Sequence, residues 1–494
     1  MKNFKWFQIL AFLLIAQAGN VLGQELLTLE KTLEIAYQNS PDMINQAISL
    51  ESQRENLNAQ KASLKSRFSL SVNPFSYNKS RSFENYANDY VSSESFGSSG
   101  AFSISQPITA TDGTVTLTNN FGFSSNTVEN KDAVSKFNNN LTLSINQPLF
   151  KKYNANKMGL YKAELDLENT LLRYEITKLN LEYSVSQSFY SVYSAQQSLE
   201  TAKEELANQK KSFDIIKNKV DAGLSAQEEL WQAELNLQNA ESSVYDKEVS
   251  LENAKDRLKQ SIGMNINSDF SIITKIDVKT VDVKLEDAIG YGLQKRMELR
   301  QNEITLENSR LSLIQAKDND KISGSVSLSV GLQGFDSNVQ NIYDNPNDNE
   351  RVELSFSIPI WDWGARKSRI KIAENNLKTS EINQEQEKVS IEMEIRQTYR
   401  NLKNLVFQIS IAEKSVENAQ KTYELNLEKY QNGDLTSMDL KQFSDQLTQK
   451  KNSLTTALIN YKLGLLNLKN QTLWDFETGK PIVPSSLNLL ELNN

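Results

Sequence analysis

Two alternations run along this chain, one of period seven and one of period two. Val185, Val192, Leu199, Leu206, Phe213 and Val220 recur at every seventh residue, and Ala195, Ala202 and Ile216 supply most of the second apolar heptad position. Beyond Gly223 the ladder resumes with Leu230, Leu237, Val244, Leu251 and Leu258, with Ala233, Ala240 and Ala254 beside it. A sustained seven-residue stripe predicts left-handed coiled-coil packing, and alanine at the second position predicts close helix approach. Proline is absent between Pro148 and Pro346 and between Pro359 and Pro481, so nothing interrupts the helices. A helix from about residue 160 to 220 would run roughly 90 Å at 1.5 Å per residue before folding back at Gly223.

The period-two stretches lie between these helices. In "GSVSLSVGL", Val326, Leu328, Val330 and Leu332 alternate with Ser and Gly. "RFSLSV", "TVTLTNNFGF", "LTLSINQPLF" and "VELSFSIPI" repeat the pattern, and "AFSIS" at 101 is shorter. One face is apolar. The other is Ser, Thr, Asn and Gly almost throughout. Strands of a soluble sandwich hide the apolar face in a core and usually show charge to water. Small uncharged groups suit a transmembrane barrel with lipid outside and a wet lumen inside. Both readings start from the same pattern. Four to six strands are too few to close a barrel, which takes about eight, so a barrel here would be shared between copies.

The chain is also written twice. "KVDAGLSAQEEL" from Lys219 matches "KYQNGDLTSMDL" from Lys429, with Gly223 and Gly433 standing 210 residues apart. Upstream, Val185, Phe189 and Val192 face Ile395, Tyr399 and Leu402; downstream, Leu237 and Leu258 face Leu447 and Leu468. "LEKTLEIAYQNSPDM" from Leu29 matches "LEDAIGYGLQKRMEL" from Leu285 at the larger offset of 256. The first half therefore carries extra residues, and they lie within 65–147. The glycines signal helix stops. Ser225 with Glu228, and Thr436 with Asp439, have capping-box spacing for the returning helices.

Composition narrows the chemistry. The chain of 494 residues contains neither Cys nor His. Cysteine nucleophiles, disulfides, Cys/His zinc sites and histidine bases are excluded. Carboxylate-only catalysis would need a compact cleft, for which there is no sign. The net charge of −8 gives no reason to expect nucleic acid. A mean hydropathy of −0.52 is too polar for a bundle of membrane helices. Lys2 and Lys5 precede an apolar run from Trp6 to Ala16, as in a secretory leader, with cleavage expected after Gly23 or, alternatively, Ala18. An uncleaved anchor is the other reading of that run.

These features together resemble the TolC-type outer-membrane efflux channel family. The likeness is carried by "LTLEKTLEIAYQNSP", the strand exit "NQPLF" with its partner "SIPIWDWGARKSRIKIAE", the two glycine turns and the two-fold repeat itself. It implies a mostly α fold with β: long antiparallel coiled-coil hairpins in two repeats, plus strands forming a shared trimeric transmembrane β-barrel. It implies a homotrimer in outer-membrane lipid, extending into the periplasm. Its partners would be a periplasmic adaptor (a membrane fusion protein) and an inner-membrane pump. No cofactor, metal or catalytic group is expected.

By the same resemblance, the hairpin tips around Gly223 and Gly433 dock the adaptor. Asp439 matches an acidic residue of a periplasmic constriction ring, and it fits equally as a helix cap. Gln442 stands where a second acid is found. Tyr430 and Glu229 match a tyrosine and an acid that hold neighbouring hairpins closed, although Tyr430 is also the last heptad position. Leu435 replaces a basic residue of that latch. The familiar barrel takes four strands per chain, whereas residues 99–124 look like an additional hairpin around "TATDG". A trimer would then hold twelve strands with an excursion, or eighteen.

The expected layout is a leader at 1–23, a first structural repeat at 24–263, an equatorial linker at 264–284, a second structural repeat at 285–471 and an equatorial tail at 472–494. The expected function is passive exit for substrates of a tripartite pump or a type I secretion system. A periplasmic coiled-coil adaptor without a pore is the alternative.

Overall fold

A computed structural model of the chain describes residues 25–84, 88–129, 131–273, 276, 278–344 and 346–482. The expected leader and the last residues of the expected tail lie outside the described residues. The chain divides into two compact units. One takes Met1–Ala47, Arg173–Arg296 and Val389–Asn494; the other takes Ile48–Leu172 and Met297–Lys388.

The helices carry the sequence repeat in their bounds. Helices α1 (Leu29–Asn39) and α2 (Pro41–Ser63) correspond to α5 (Leu285–Lys295) and α6 (Met297–Asp318). The long helices α3 (Ala155–Asp221) and α7 (Ala365–Asn432) start 210 residues apart, as do α4 (Gln227–Ile262) and α8 (Ser437–Thr472). Pro41 opens α2 at the position where its missing N–H costs nothing. α1 buries Thr32 and Ala36, and α5 buries Ala288 and Gly292, the same positions one repeat later.

In the helical unit the heptad residues form the core. Val185, Val192, Ile395, Leu402, Tyr461 and Leu468 are buried. Leu199 and Ala202 of α3 pack with Val244 of α4. Burial of each valine, leucine or isoleucine among these stabilises the fold by about 1.5–3 kcal/mol. Strand β1 (Glu25–Leu27) pairs in parallel with β6 (Phe270–Ile272), and Leu27 and Phe270 are fully buried beside Val185 and Leu258. The segment before α5 also packs down: the Val281 N–H donates to the Tyr461 hydroxyl at 3.0 Å. After α8, the ring of Trp474, which opens the two-residue β9 (Trp474–Asp475), stacks on Tyr291 with centroids 4.4 Å apart.

The other unit holds one antiparallel sheet. Its strands are β2 (Arg67–Glu84), β3 (Asp89–Ile108), β4 (Gly113–Val128), β5 (Val134–Leu149), β7 (Ser323–Asp336) and β8 (Asn347–Ser357), hydrogen-bonded in the order β2-β3-β4-β5-β7-β8. The strands run longer than their alternating stretches. The expected short strand at 101 is the inner part of the 20-residue β3, whose outer part, "DYVSSESFGSSG", pairs through its backbone without a clean apolar alternation.

The two expected capping boxes fare differently. Thr436 caps α8, its hydroxyl accepting from the Asp439 N–H at 3.2 Å. α4 begins one residue later than Ser225 would require. Its cap position is Ala226, which has no side-chain oxygen, so the expected Ser225–Glu228 box does not form.

Candidate functional site

The two turns of the helical hairpins close in the same way. Gly223 has φ +73° and Gly433 φ +91°, left-handed values that a β-carbon disfavours. At the first, the Gly223 N–H donates to Val220 O and the Leu224 N–H to Lys219 O; at the second, Gly433 N–H donates to Tyr430 O and Asp434 N–H to Lys429 O. This double pattern satisfies the last carbonyls of α3 and α7.

Around these turns the first hairpin supplies charges to both helix ends of the second. Lys219 Nζ donates to the Tyr430 carbonyl at 2.8 Å, at the C-terminus of α7. A carboxylate oxygen of Glu229 accepts from the Ser437 N–H at 3.3 Å, at the N-terminus of α8. A cation therefore meets the negative end of one helix and an anion the positive end of the next. Tyr430 is buried, and its hydroxyl donates to the Ser212 carbonyl of α3 at 3.2 Å. Burial raises the Tyr430 pKa above the usual tyrosine range, and the negative charge of Glu229 adds to the effect. Ile216, Ala233, Tyr423, Tyr430, Leu440 and Leu447 form one apolar cluster beneath the turns.

Each expected gate residue thus has a defined neighbour within the chain. Tyr430 and Glu229 both link the hairpins, but to Ser212 and Ser437 rather than to each other. Asp439 stays with its own helix and is exposed, its carboxylate accepting from the Thr436 hydroxyl at 2.7 Å. Glu229 and Asp439 are the same position of the two repeats, put to different uses. Lys219 was not singled out by the sequence. The sequence marks it only as the head of the repeated motif and as a basic residue in the last turn before Gly223, and its acceptor is a backbone oxygen 211 residues away.

The sheet is sorted by face. The register places Leu70 beside Phe102, Ile104 beside Leu117, Leu117 beside Leu143, Ile145 beside Leu328, and Leu328 beside Val352. All of these lie on one face, and they are exposed or half-buried. In β2, an irregularity between Asn73 and Ser76 inserts one residue, which keeps Tyr77 in step with Val72, opposite Phe96. The opposite face joins hydroxyls and amides: Ser69 to Ser103 at 2.7 Å and Asn146 to Ser327 at 3.0 Å. That face also carries charge, at Arg67 on β2, Lys136 on β5, and Arg351 and Glu353 on β8, the last two opposite Ser329 and Ser327. Among the described residues no helix is long and apolar enough to cross a membrane, and no cluster of acidic side chains is fit to hold a metal ion.

A family model described as outer membrane efflux protein matches residues 114–264 and 289–471, more than half of the chain. Outer membrane protein TolC of Escherichia coli (strain K12) is 24% identical over 230 residues, covering 45% of this chain and 46% of that protein. The protein of the same name from Salmonella enteritidis is 24% identical over 251 residues, 48% and 51% of the two chains. The matched part thus spans about half the length of these relatives. In fold, the chain is similar to the Campylobacter jejuni CmeC outer membrane channel, with a TM-score of 0.70 at 15% identity over 94% of this chain and 88% of that one. VceC from Vibrio cholerae gives 0.67 at 15% identity, over 92% and 97%.

Proposed function

The chain belongs to the outer membrane efflux protein family, and from that premise we propose that three copies close one membrane barrel from their sheets and form a passive exit conduit. The observation that carries this reading is the sorted sheet. Leu70 is 71% exposed and Val352 76%, on the same face as Phe102, Leu117, Leu143 and Val330. An apolar face running over six strands is an aggregation hazard in water and suits the hydrocarbon of a bilayer. The small hydroxyls and amides opposite suit a water-filled lumen. No reacting group is needed, since a conduit works through its bore, its gate and its docking surfaces.

The helical hairpins are assigned to the periplasmic passage. Their turns at Gly223 and Gly433 are the docking points for an adaptor that couples the conduit to an inner-membrane pump. Asp439, Tyr430 and Glu229 are assigned to the gate, with Asp439 forming the charged ring and the other two holding hairpins together. Export of small molecules and secretion of polypeptides both fit a wide polar bore.

The test is reconstitution of purified protein into planar bilayers. Discrete conductance steps from a heat-stable trimer extracted in detergent support the reading. A protein that sediments as a monomer without detergent and gives no conductance overturns it in favour of a pore-free periplasmic adaptor.

A further inference from the structure

The sheet contains the same hairpin twice. Near the end of β3, Gln106 donates through Nε2 to the carbonyls of Leu64 at 3.1 Å and Pro107 at 2.8 Å, and its Oε1 accepts from Ser66 Oγ at 2.5 Å. Near the end of β5, Gln147 donates through Nε2 to the carbonyls of Thr111 at 2.8 Å and Pro148 at 3.1 Å, and its Oε1 accepts from Thr111 Oγ1 at 2.7 Å. In each case one carbonyl belongs to the following proline. The other carbonyl and the hydroxyl come from the segment that leads into the preceding strand. The sequences agree as well, "SISQPI" ending β3 and "LSINQPL" ending β5. β2–β3 and β4–β5 are therefore equivalent units, each closed at its foot by a Gln-Pro lock.

The turn between the two units is tied down. Asn154 Nδ2 donates to the carbonyls of Thr109 at 2.7 Å and Ala110 at 3.2 Å. The Asp112 carboxylate accepts from the Asn156 N–H at 3.0 Å and, more closely, from the Ala155 N–H. These are orphan donors of the first turn of α3, the helix that β5 feeds. Swinging β3 and β4 out of the sheet would uncap α3, open both Gln-Pro locks and break two registers, Arg67↔Ser105 to Glu84↔Asp89 against β2 and Thr114↔Asn146 to Asn126↔Val134 against β5. The apolar face also continues across β3 and β4 in phase, as it would not need to do in an excursion.

The two outer strands of the sheet, β2 and β8, each pair on one side only. With six strands alternating in direction, β2 and β8 run opposite ways. The open edge of one copy is thus complementary, antiparallel, to the open edge of another. Long open edges invite pairing with another chain, and a second copy of this chain supplies a strand of the right direction.

We infer that each copy puts all six strands into the barrel, so that three copies close eighteen, with β2 of one copy against β8 of the next. This rests on the trimeric channel reading above. Barrel diameter grows roughly linearly with strand number, so the bore is about half as wide again as with four strands per chain. At that width porins leave an aqueous channel, so the barrel section of the conduit is open to water.

Electron cryomicroscopy of the wild-type protein in lipid nanodiscs tests this directly, because strands are counted in a section across the barrel. Eighteen strands are expected. The absence of cysteine allows a second measurement. Ser69→Cys or Ser71→Cys on β2, combined with Glu353→Cys or Ser355→Cys on β8, should give covalent trimers on denaturing gels after oxidation, for the pair the edge register brings together. A trimer with twelve barrel strands and a hairpin outside overturns the inference and leaves the channel reading intact. A protein that forms no trimer in the membrane overturns both.

Discussion

Lys219 and Tyr430 are joined through the backbone: the lysine Nζ lies 2.8 Å from the tyrosine carbonyl oxygen, which also accepts from the Gly433 N–H at 3.1 Å. The ammonium additionally sits 5.6 Å from the centre of the Tyr430 ring. One side chain of the first hairpin thereby holds the helix end of the second, at the same carbonyl that anchors its turn glycine. In the family resemblance a basic residue belongs at the position of Leu435. The cation that lies against Tyr430 belongs to α3.

Replacing Lys219 with Met keeps the stem and removes the charge. A hydrogen bond to a charged donor is worth about 1.5–3 kcal/mol, so the closed arrangement should weaken and resting conductance in planar bilayers should rise. Lys429→Met is the control, because Lys429 is the repeat equivalent and is exposed. Equal conductance in the Lys219 variant and in wild type would remove Lys219 from the gate.

The tyrosines beneath the turns predict an alkaline limit to stability. Burial, with the negative charge of Glu205 behind it, pushes Tyr423 up to about 12, and Tyr430 is raised too. The unfolded chain loses these protons near pH 10, before the folded chain does. Stability should therefore be full below about pH 10 and fall as pH rises from there towards the folded pKa values. Tm should be level between pH 7 and 9 and lower at pH 11. Tyr430→Phe should show a smaller drop between those conditions, from a lower starting Tm, since it also loses the bond to Ser212. An unchanged drop would mean that the Tyr430 proton is not linked to folding.

The two faces of β7 should tolerate charge differently. Leu328→Arg puts a guanidinium on the apolar face and should cost about 2–4 kcal/mol near the bilayer midplane. Ser327→Arg puts it opposite Glu353 on the polar face, where a partner already stands. The yield of heat-stable trimer should fall in the first variant and hold in the second. Equal yields would reverse or abolish the assigned faces.

What the sequence revealed depended on the range of the interaction. The 210-residue repeat and the heptads of Val185 and Ile395 placed α3, α4, α7 and α8, because a helix stripe is a local pattern that only needs a neighbour. The alternation around Leu328 and Leu117 gave strand faces for the same reason. The full length of β3 was hidden, since Ser92–Ser99 holds its place by ladder hydrogen bonds to β2 and β4 rather than by its own periodicity. The Ser225–Glu228 box does not form because α4 begins one residue later, where the 210-residue repeat aligns Ala226 with the capping Thr436. The links from Lys219 and Tyr430 end on backbone oxygens of another helix, which no side-chain pattern encodes.

Asp439 gives the sharpest test of the gate. It is exposed and already serves its helix, exchanging hydrogen bonds with Thr436 through both its N–H and its carboxylate. A cap alone would account for it. Three copies on a symmetry axis would add a second role, since a ring of carboxylates attracts cations and concentrates them at a constriction. Asp439→Asn separates the two. The amide keeps the size, and its carbonyl oxygen still accepts from the Thr436 hydroxyl, so folding should be nearly unaffected, with Tm changed by no more than a few degrees. The ring charge is gone, so cation preference should fall and block by divalent ions from the periplasmic side should weaken by an order of magnitude or so, as expected when like charges focused in a narrow pore are removed. Single-channel recordings with and without magnesium measure both effects. Unchanged block with unchanged Tm would leave Asp439 as a helix cap only and move the constriction to another ring of the hairpins.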